Sequence, residues 1–346
     1  MSPAGPLPRG SHRSPQGEGT PMRALLEIRG LKKYFGLKKP LFQRERKYVH
    51  ALDGIDVDLI EGETLSVVGE SGSGKSTLGR TIVRLEDPTA GSIRYRGRDV
   101  SGLRGAAAQN YRQQIQMVFQ DPYASLNPRL TVGHALAEPM LVHRKAANRH
   151  AAKQAVGELL SRVGLRPEMA SSYPFAFSGG QRQRIGIARA LSLNPKVLIC
   201  DEAVSALDVS VQSQILNLFN QLKRELGLTY LFITHDLSVV RYVSDRVMVL
   251  YLGQVVELAP RDAFFARRLH PYTRALISAA PVASTAPRES RIILQGEIPN
   301  AIDPPSGCRF HTRCPNVMKD CHHVEPQLRE IEPGHHVRCH LYTNGS

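Results

Sequence analysis

A glycine-rich segment with a single lysine is the first part of the sequence that could do chemistry. Residues 69–76 read GESGSGKS, with the glycine, lysine and serine spacing of a phosphate-binding loop. Its glycines let successive backbone N–H groups point into one concavity that attracts phosphate oxygens. Lys75 would neutralise the β- and γ-phosphates, and the Ser76 hydroxyl would complete a Mg²⁺ shell. The predicted nucleotide-contacting residues are Gly69, Ser71, Gly72, Gly74, Lys75, Ser76 and Thr77.

Two adjacent carboxylates follow an apolar run further along the chain. Asp201 and Glu202 come directly after residues 197–200, which read VLIC and predict a strand. Ligands of open α/β sheets bind at the C-terminal ends of the strands. Asp201 would hold Mg²⁺ through water, and Glu202 would act as the general base on the attacking water. An acidic pair after a strand is more often a helix cap, but the phosphate loop upstream favours the catalytic interpretation.

Residues 177–184, which read FSGGQRQR, resemble the signature motif of ATP-binding cassette (ABC) ATPases. The family usually has Leu where this chain has Phe177. In this family the motif faces the γ-phosphate of ATP that is bound by a partner subunit. The resemblance therefore implies that Ser178, Gly180 and Gln181 complete the nucleotide site of a second cassette, with two ATP molecules held between the two.

Three further elements of the family appear in the family's order. Gln120 matches the glutamine loop that senses Mg²⁺ and contacts the membrane subunits, and Asp208 matches the loop that crosses the dimer interface. His235 matches the switch histidine that touches the γ-phosphate. The resemblance spans about residues 26–266 without an inactivating substitution, and it implies ATP hydrolysis with Mg²⁺ held by Ser76 and Gln120. The catalytic residues implied are Glu202, His235 and Gln120.

An aromatic side chain that stacks on adenine is also typical of the family, upstream of the phosphate loop. Tyr34, within residues 33–36 (KYFG), fits this role. Tyr48 is a competitor, because a basic insertion at residues 36–47 separates the two tyrosines. We prefer Tyr34, and packing in the core is the alternative for either ring.

Three features resemble the ATP-binding subunits of bacterial oligopeptide and dipeptide importers. They are the basic insertion, residues 120–128 (QDPYASLNP) and residues 305–315 (PSGCRFHTRCP). This resemblance implies a heterodimer with a second, related ABC ATPase under two membrane-spanning permease subunits, at the cytoplasmic face of the inner membrane. An external substrate-binding protein feeds such a complex. An importer of another small solute, such as nickel or glutathione, and a soluble ABC ATPase of repair or translation stay open as alternatives.

Four of the five cysteines cluster near the C-terminus, whereas Cys200 lies in an apolar run and is predicted to be a core residue. The spacing of the four differs from the CxxC knuckles of structural zinc, and a cytoplasmic chain disfavours disulfides. Four thiolates can hold a [4Fe–4S] cluster or Zn²⁺. The resemblance to the importer tail favours the iron–sulfur cluster; zinc, with many histidines nearby, and four free thiols stay open. The cysteines are Cys308, Cys314, Cys321 and Cys339.

The elements that must position these residues follow from hydrophobic periodicity. Strands alternate with helices, which predicts a largely parallel α/β core of the ABC type with a P-loop. We place this core at residues 23–266, with an inserted helical subdomain at about 130–178. Residues 267–346 form a small Cys-rich extension that is predicted to depend on a metal site rather than on a core of its own. Residues 1–22 are predicted to be a disordered tail or a cloning remnant. Residues 24–59 are predicted to form short strands that are broken by the basic insertion. The further predicted strands are 64–68, 115–119, 197–200, 230–233, 247–250 and 255–258, and the predicted helices begin at Lys75 and cover 180–192 and 209–226.

Composition limits the remaining possibilities. The 346 residues carry a formal net charge of +14, and no run of about 18 apolar residues predicts a transmembrane helix. The N-terminus also lacks the apolar stretch of a secretory signal. A basic chain can bind nucleic acid, but the basic residues are spread along this one without an aromatic platform. We therefore predict no nucleic-acid partner.

Overall fold

The computed structural model describes residues 24–37, 46–121, 123, 125–279 and 292–342. The predicted N-terminal tail at residues 1–22 and most of the basic insertion lie outside the described residues. The Pro- and Ser-rich stretch that precedes Ile292 lies outside them as well.

The elements alternate between strands and helices over most of the chain. The strands are β1 (Ala24–Gly36), β2 (Tyr48–Ile60), β3 (Thr64–Val68), β4 (Ala90–Tyr95), β5 (Arg98–Asp99), β6 (Ile115–Val118), β7 (Val197–Asp201), β8 (Thr229–Ile233), β9 (Arg246–Tyr251), β10 (Gln254–Pro260), β11 (Arg329–Glu332) and β12 (His335–Val337). The helices are α1 (Lys75–Ile82), α2 (Gly105–Gln114), α3 (Val132–Val142), α4 (Arg149–Arg162), α5 (Gly179–Leu191), α6 (Val209–Leu226), α7 (Leu237–Val243), α8 (Arg261–Ala266) and α9 (Pro271–Ala279).

The central sheet has the strand order β11-β12-β10-β9-β3-β8-β7-β6. Strands β6, β7, β8, β3 and β9 are parallel, and the remaining strands add antiparallel pairs at one side. β3, β7 and β8 are buried along their whole length, as expected for parallel strands covered on both faces. Because these three strands run in one direction, the segments that follow them meet at one edge of the sheet.

A second, antiparallel sheet has the order β2-β1-β4-β5 and covers one side of the first. Its buried residues Leu31, Leu52 and Ile93 share a core with Leu78 of α1 and Leu250 of β9. The sequence predicted short strands here, but β1 and β2 each run for 13 residues. This sheet brings the start of β2 close to the segment between β3 and α1.

The helical subdomain is built on α3 and α4, both with side-chain caps. The Thr131 hydroxyl accepts a hydrogen bond from the His134 N–H, and the Asn148 side chain accepts one from the Ala151 N–H. Apolar residues of the two helices pack in one core cluster with Ile185 of α5. The subdomain is thereby fixed to the helix that begins at the signature motif.

The C-terminal extension packs on the cassette. Strand β12 pairs with β10, and Phe310 is buried in a core cluster of the cassette. Glu257 of β10 is fully buried and accepts hydrogen bonds from the backbone N–H groups of Leu269 and His270, with the His335 ring nitrogen 2.8 Å from its carboxylate. The sequence predicts an extension without a core of its own, and neither β11 nor β12 was expected. The structure shows that the extension shares the cassette's core.

The α/β fold class and the element order are confirmed, and the strands and helices predicted with bounds from residue 64 onwards agree with the structure within two residues at each end. The exact domain boundaries stay a prediction. Among the residues that the structure describes, no helix combines the length and the apolar character needed to cross a bilayer.

Candidate functional site

The phosphate loop lies between β3 and α1, and its glycines are sterically required. Gly69 has φ 151°, and a Cβ atom there would lie 2.3 Å from the Leu250 carbonyl oxygen. At Gly74, with φ 105°, a Cβ atom would lie 2.3 Å from the Ala51 carbonyl oxygen. Gly74 is also the N-cap of α1 and supplies no side-chain cap. The first N–H groups of α1 are therefore left for an anionic ligand.

Lys75 is buried beneath the loop. Its Nζ donates hydrogen bonds of 2.8 Å to the backbone carbonyl oxygens of Gly69 and Glu70. Burial lowers the pKa of Lys75 from its ordinary value, and the carboxylates of Glu202, Asp201 and Glu70 oppose that shift. The ammonium group thus lies in a poorly solvated position, where a phosphate group would interact with it strongly.

Ser76 and Asp201 form an oxygen pair beside the loop. The Ser76 hydroxyl donates a 2.7 Å hydrogen bond to Asp201 Oδ1. Burial raises the pKa of the Asp201 carboxyl, and the hydrogen bond from Ser76 and the charge of Arg80 oppose this. A hydroxyl, a carboxylate and the nearby Gln120 amide are hard oxygen donors of the kind that Mg²⁺ prefers, so the residues fit the predicted ion.

Glu202 is the meeting point of the three predicted catalytic residues. Gln120 Nε2 donates a 3.0 Å hydrogen bond to Glu202 Oε2, and His235 Nδ1 lies 3.4 Å from Glu202 Oε1. Glu202 has φ 48°, a left-handed conformation that is uncommon for a residue with a side chain. Its backbone N–H donates to the Ile233 carbonyl oxygen at 2.9 Å, so β8 holds it in this position. Two segments distant in sequence from Glu202 therefore place their polar groups at its carboxylate.

A cavity of about 490 Å³ opens above the loop. Its lining includes loop residues from Ser71 to Thr77 together with Gln120 and Glu202. On the side of the second sheet it is lined by Phe35, with Val49 and Ala51, and by Ala301 of the extension. A phosphate-binding end and an aromatic end thus belong to the same cavity, as a nucleotide requires.

Tyr34 does not have the position that the sequence analysis gave it. Its hydroxyl donates a hydrogen bond to Asp53, and its ring centroid lies 4.2 Å from that of His50. Phe35, its neighbour, lines the cavity instead, because successive side chains of a strand point to opposite faces. The competitor Tyr48 is exposed and lies near Arg46. The structure therefore replaces Tyr34 by Phe35 as the aromatic residue of the cavity.

The signature residues lie at the N-terminus of α5, where they cap one another. The Ser178 hydroxyl accepts from the Gln181 N–H at 3.4 Å, and the Gln181 side chain accepts from the Ser178 N–H at 3.0 Å. A Cβ atom at Gly180 would meet Val211 at 2.4 Å. Asp208 is exposed at the start of α6. Of the described residues that line the loop cavity, none comes from the signature motif.

The four C-terminal cysteines lie in one cluster. Burial raises the pKa of Cys308 to about 12, with contributions from the other three clustered cysteines, and that of Cys339 to about 11, with contributions from Cys314 and Cys321. Backbone N–H groups point at the sulfurs: Asn316 donates to Cys314 Sγ at 3.4 Å. The remaining backbone N–H donors to sulfur are Met318 for Cys321, Phe310 for Cys308 and Leu341 for Cys339.

Hydrogen bonds of this kind stabilise thiolates that bind a metal. All five cysteines are free. Within the described part of the chain, no group of three or more His, Cys, Asp or Glu side chains has the arrangement of a metal site.

Five residues at this site were not predicted from the sequence: Phe35, Val49, Ala51, Ala301 and Arg313. For Phe35 the only signal was its place beside Tyr34, and an irregularity in the pairing of β1 with β2 between Lys33 and Tyr34 affects which ring faces the cavity. Ala301 and Arg313 come from the extension, and nothing in the local sequence links them to the loop. Arg313 forms an ion pair with Glu70 of the phosphate loop.

Two family models match the chain. The model described as "ABC transporter" matches residues 52–205, and the model described as "Oligopeptide/dipeptide transporter, C-terminal region" matches residues 256–321. The first range contains the phosphate loop, the signature motif and the acidic pair. The second contains three of the four clustered cysteines.

Relatives of known name match almost the whole chain. It is 52% identical over 322 residues to the "Oligopeptide transport ATP-binding protein AppF" of Bacillus subtilis (strain 168), covering 92% of this chain and 98% of the relative. It is 47% identical over 319 residues to the "Di/tripeptide transport ATP-binding protein DppF" of Pseudomonas aeruginosa (strain UCBPP-PA14), covering 92% and 98%. The similarity thus includes the extension as well as the cassette.

Solved structures of ATP-binding cassettes have the same fold as this chain. A dimeric post-hydrolysis state of the ATP-binding cassette MJ0796, bound to ADP and Pi, matches with a TM-score of 0.60 and 30% identity, covering 68% of this chain and 98% of that one. The cbiO1 protein of Clostridium perfringens, part of the ABC transporter complex cbiONQ, matches with a TM-score of 0.61 and 27% identity, covering 71% and 92%.

Proposed function

The chain belongs to the ATP-binding proteins of ABC transporters, in their oligopeptide/dipeptide branch, and we propose that it hydrolyses ATP to drive peptide import. The observation that carries this proposal is the convergence of Gln120 and His235 on the Glu202 carboxylate beside the phosphate loop. The names of the relatives favour a peptide over nickel or glutathione as the imported solute.

The residues divide the chemistry between them. Backbone N–H groups of the loop and Lys75 hold the β- and γ-phosphates. Ser76 and Gln120 would hold Mg²⁺, with Asp201 acting through water, and the ion would neutralise charge at the phosphates. Glu202 orients a water molecule and takes its proton as the water oxygen attacks the γ-phosphorus. The bond from that phosphorus to the β-phosphate oxygen breaks, and ADP and inorganic phosphate are the products.

Replacing Glu202 by Gln tests the general base. We expect the Glu202→Gln variant to retain bound ATP while hydrolysis falls about 100-fold to 1,000-fold, the usual contribution of a positioned base. Phosphate release and the nucleotide retained after gel filtration give the two readouts. Glu158→Gln, at an exposed glutamate of α4, is the matched control and should keep the parental rate. Hydrolysis by Glu202→Gln at the parental rate would overturn the assignment.

The same cavity suggests how the base of the nucleotide is held. Phe35 lines the cavity together with Val49 and Ala51 of the second sheet. A ring at this position can stack on adenine whatever the hydrogen-bonding pattern of the base. This contact replaces the one that the sequence analysis assigned to Tyr34.

The position of the signature residues favours a nucleotide site that two subunits share over one that a single chain completes. Ser178, Gly180 and Gln181 lie at a helix N-terminus that does not line the cavity of this chain. Together with the exposed Asp208 they are available to a second, related cassette, and each subunit would complete the nucleotide site of the other. This chain alone should therefore be a poor ATPase, and the mixed pair of cassettes a good one.

The complex extends to the membrane. By family, two membrane-spanning permease subunits are the partners, the chain lies at the cytoplasmic face of the bacterial inner membrane, and an external substrate-binding protein delivers the peptide. Affinity purification from the native membrane tests this arrangement. Recovery with a second cassette and two multi-span proteins supports it, whereas stoichiometric nucleic acid without membrane subunits contradicts it.

The cysteine cluster is proposed to hold a [4Fe–4S] cluster through Cys308, Cys314, Cys321 and Cys339. Support comes from the resemblance to the importer tail and from the N–H donors directed at the sulfurs, and the thiols would have to move closer together than they lie in the described part of the chain. Zinc is the alternative, since four thiolates suit either metal. Anaerobically purified protein should absorb near about 400 nm and contain iron. One equivalent of zinc without iron would decide for the alternative.

A further inference from the structure

The extension reaches the phosphate loop through one arginine. Arg313 Nη1 donates to Glu70 Oε2 at 2.7 Å, and Arg313 Nη2 donates to Glu70 Oε1 at 3.1 Å. The two residues are 243 positions apart in the chain, and the Arg313 side chain is 8% exposed. Two parallel N–H···O bonds from a guanidinium to a carboxylate form a charge-assisted contact with defined geometry.

Both partners of this ion pair are held by their surroundings. The Glu70 N–H donates a 2.8 Å hydrogen bond to the Tyr272 hydroxyl of α9, so the extension binds the backbone of Glu70 as well as its side chain. Tyr272 packs against Tyr251 and Phe310, with ring centroids 4.7 and 5.4 Å away. Phe310 directly precedes the short turn that carries Arg313. The arginine is therefore presented from a buried aromatic cluster rather than from a flexible arm.

Other contacts tie the same extension to the site. Arg309 donates to the Asp53 carboxylate and to the carbonyl oxygen of Leu252. Leu252 lies in the turn that precedes β10. The Gly253 N–H in that turn donates to the Ser73 carbonyl oxygen at 3.0 Å, inside the phosphate loop. Ala301 accepts a hydrogen bond from the His50 N–H and lines the cavity. The extension thus contacts both ends of the nucleotide cavity.

The charge of Glu70 explains why the loop needs such a partner. A carboxylate within the phosphate loop lies close to the position of a highly anionic ligand and interacts with the Lys75 ammonium. Without a cation beside it, Glu70 would repel the phosphates and compete with them for Lys75. The guanidinium of Arg313 neutralises this charge and turns the carboxylate towards the extension.

The geometry points to Arg313 as a positioning residue for ATP binding: it holds Glu70, and with it the phosphate loop, in the arrangement that accepts the triphosphate. This inference rests on ATP binding at the loop. It assigns to the C-terminal extension a part in the nucleotide site of its own chain. Because the effect is electrostatic, it should grow with the negative charge of the nucleotide.

Calorimetric titration of MgATP and MgADP onto the full-length chain tests the inference. We expect Arg313→Met to weaken ATP binding about tenfold, which corresponds to about 1.4 kcal/mol of binding free energy, and to weaken ADP binding by a smaller factor. Adding Glu70→Gln to Arg313→Met removes the unpaired carboxylate and should restore affinity to within about threefold of the parent. Arg313→Lys keeps a cation without the planar fork and should give an intermediate loss. This milder change provides the test if Arg313→Met does not fold.

Arg338→Met is the matched control, because Arg338 is a buried arginine of the same extension that pairs with Glu325. It should leave ATP affinity unchanged. Parental ATP affinity in both Arg313→Met and Arg313→Lys would overturn the inference. The inference would also fail if the double variant bound ATP as weakly as Arg313→Met and Arg338→Met lost the same affinity. Lys75→Ala distinguishes failure of this inference from failure of the proposed ATP site. If it binds ATP like the parent, the nucleotide site itself is misassigned.

Discussion

Two helices of this chain begin at glycine-rich termini, and the structure prepares them differently. Helix α1 starts at Gly74, which offers no side-chain cap, so its first N–H groups are left for a ligand. Helix α5 starts at Ser178, whose hydroxyl accepts from the Gln181 N–H while the Gln181 side chain accepts from the Ser178 N–H. The sequence at each of the two helix starts is typical of a phosphate-binding site. The first turn of α1 has no side-chain cap, whereas the capping box of α5 already engages the Gln181 N–H and leaves the N–H groups of Gly179 and Gly180 outside the box.

The difference also extends to the surroundings. Around α1 the loop is supported by Lys75, by the Ser76–Asp201 pair and by the Gln120 and His235 contacts to Glu202. Around the start of α5, Ser178 and Asp208 are exposed, and the exposed Val209 follows Asp208. A helix N-terminus with a surrounding set of charges acts within its own chain. One without such a set depends on a partner to supply the ligand.

The largest effect is expected at α1. Lys75→Ala removes the buried ammonium that the phosphates would meet, so ATP affinity should fall about 100-fold or more, given that a charge-assisted contact of this kind contributes about 3 kcal/mol. Equilibrium binding of a fluorescent ATP analogue measures it. Lys153→Ala, on the exposed side of α4, is the control. Unchanged affinity in Lys75→Ala would remove the contrast between the two helices.

A change at α5 should separate binding from turnover. Ser178→Arg places a bulky cation at the signature helix, and we expect unaltered ATP affinity in the isolated chain but about 100-fold slower hydrolysis in the assembled transporter, the usual result of losing a transition-state donor. Steady-state phosphate release with and without the partner subunits distinguishes the two. Ser161→Arg adds the same charge at an exposed site of the helical subdomain. Equal turnover in both variants would mean that α5 does not serve a partner's nucleotide.

The adenine end of the cavity should show a smaller effect. Phe35→Leu removes the ring that lines the cavity and should weaken ATP binding roughly tenfold, as stacking on a base contributes about 1–3 kcal/mol. Tyr34→Leu is the matched comparison and should have less effect on affinity. The reverse order of the two losses would restore Tyr34 as the stacking residue.

The smallest effect concerns the cap itself. Gln181→Ala removes one half of the capping box of α5 and should lower the free energy of unfolding by about 1 kcal/mol. Urea titration followed by circular dichroism measures this change. Gln154→Ala, at an exposed position of α4, should stay within about 0.5 kcal/mol of the parent. A loss no larger than the control's would indicate that the cap is already open in solution.

Local sequence predicted the parts of the site that depend on local geometry. A strand, a glycine loop and a helix must follow one another in the chain, so the phosphate loop and its neighbours were recognisable. The same holds for the carboxylates after β7 and for His235 after β8. These segments meet because parallel strands end at one edge of the sheet.

Other parts of the site could not be read in this way. Whether Tyr34 or Phe35 faces the cavity depends on an irregularity in the pairing of β1 with β2, which the sequence does not mark. The contact of Arg313 with Glu70 joins residues 243 positions apart, beyond the range of any periodicity. Strand β12 has only three residues, too few for a recognisable alternation.

The pairing of β12 with β10 also has a consequence for synthesis of the chain. β10 lies at the edge of the cassette's sheet until residues 335–337 have been made, and an unpaired edge strand is a template for association with other chains. At roughly 5–20 residues per second, the covering strand leaves the ribosome several seconds after β10. We therefore expect nascent chains stalled before residue 335 to bind chaperones, and chains stalled after β12 has left the ribosome to bind them less. Pull-down of the two sets of stalled chains, followed by detection of bound chaperones, measures this difference.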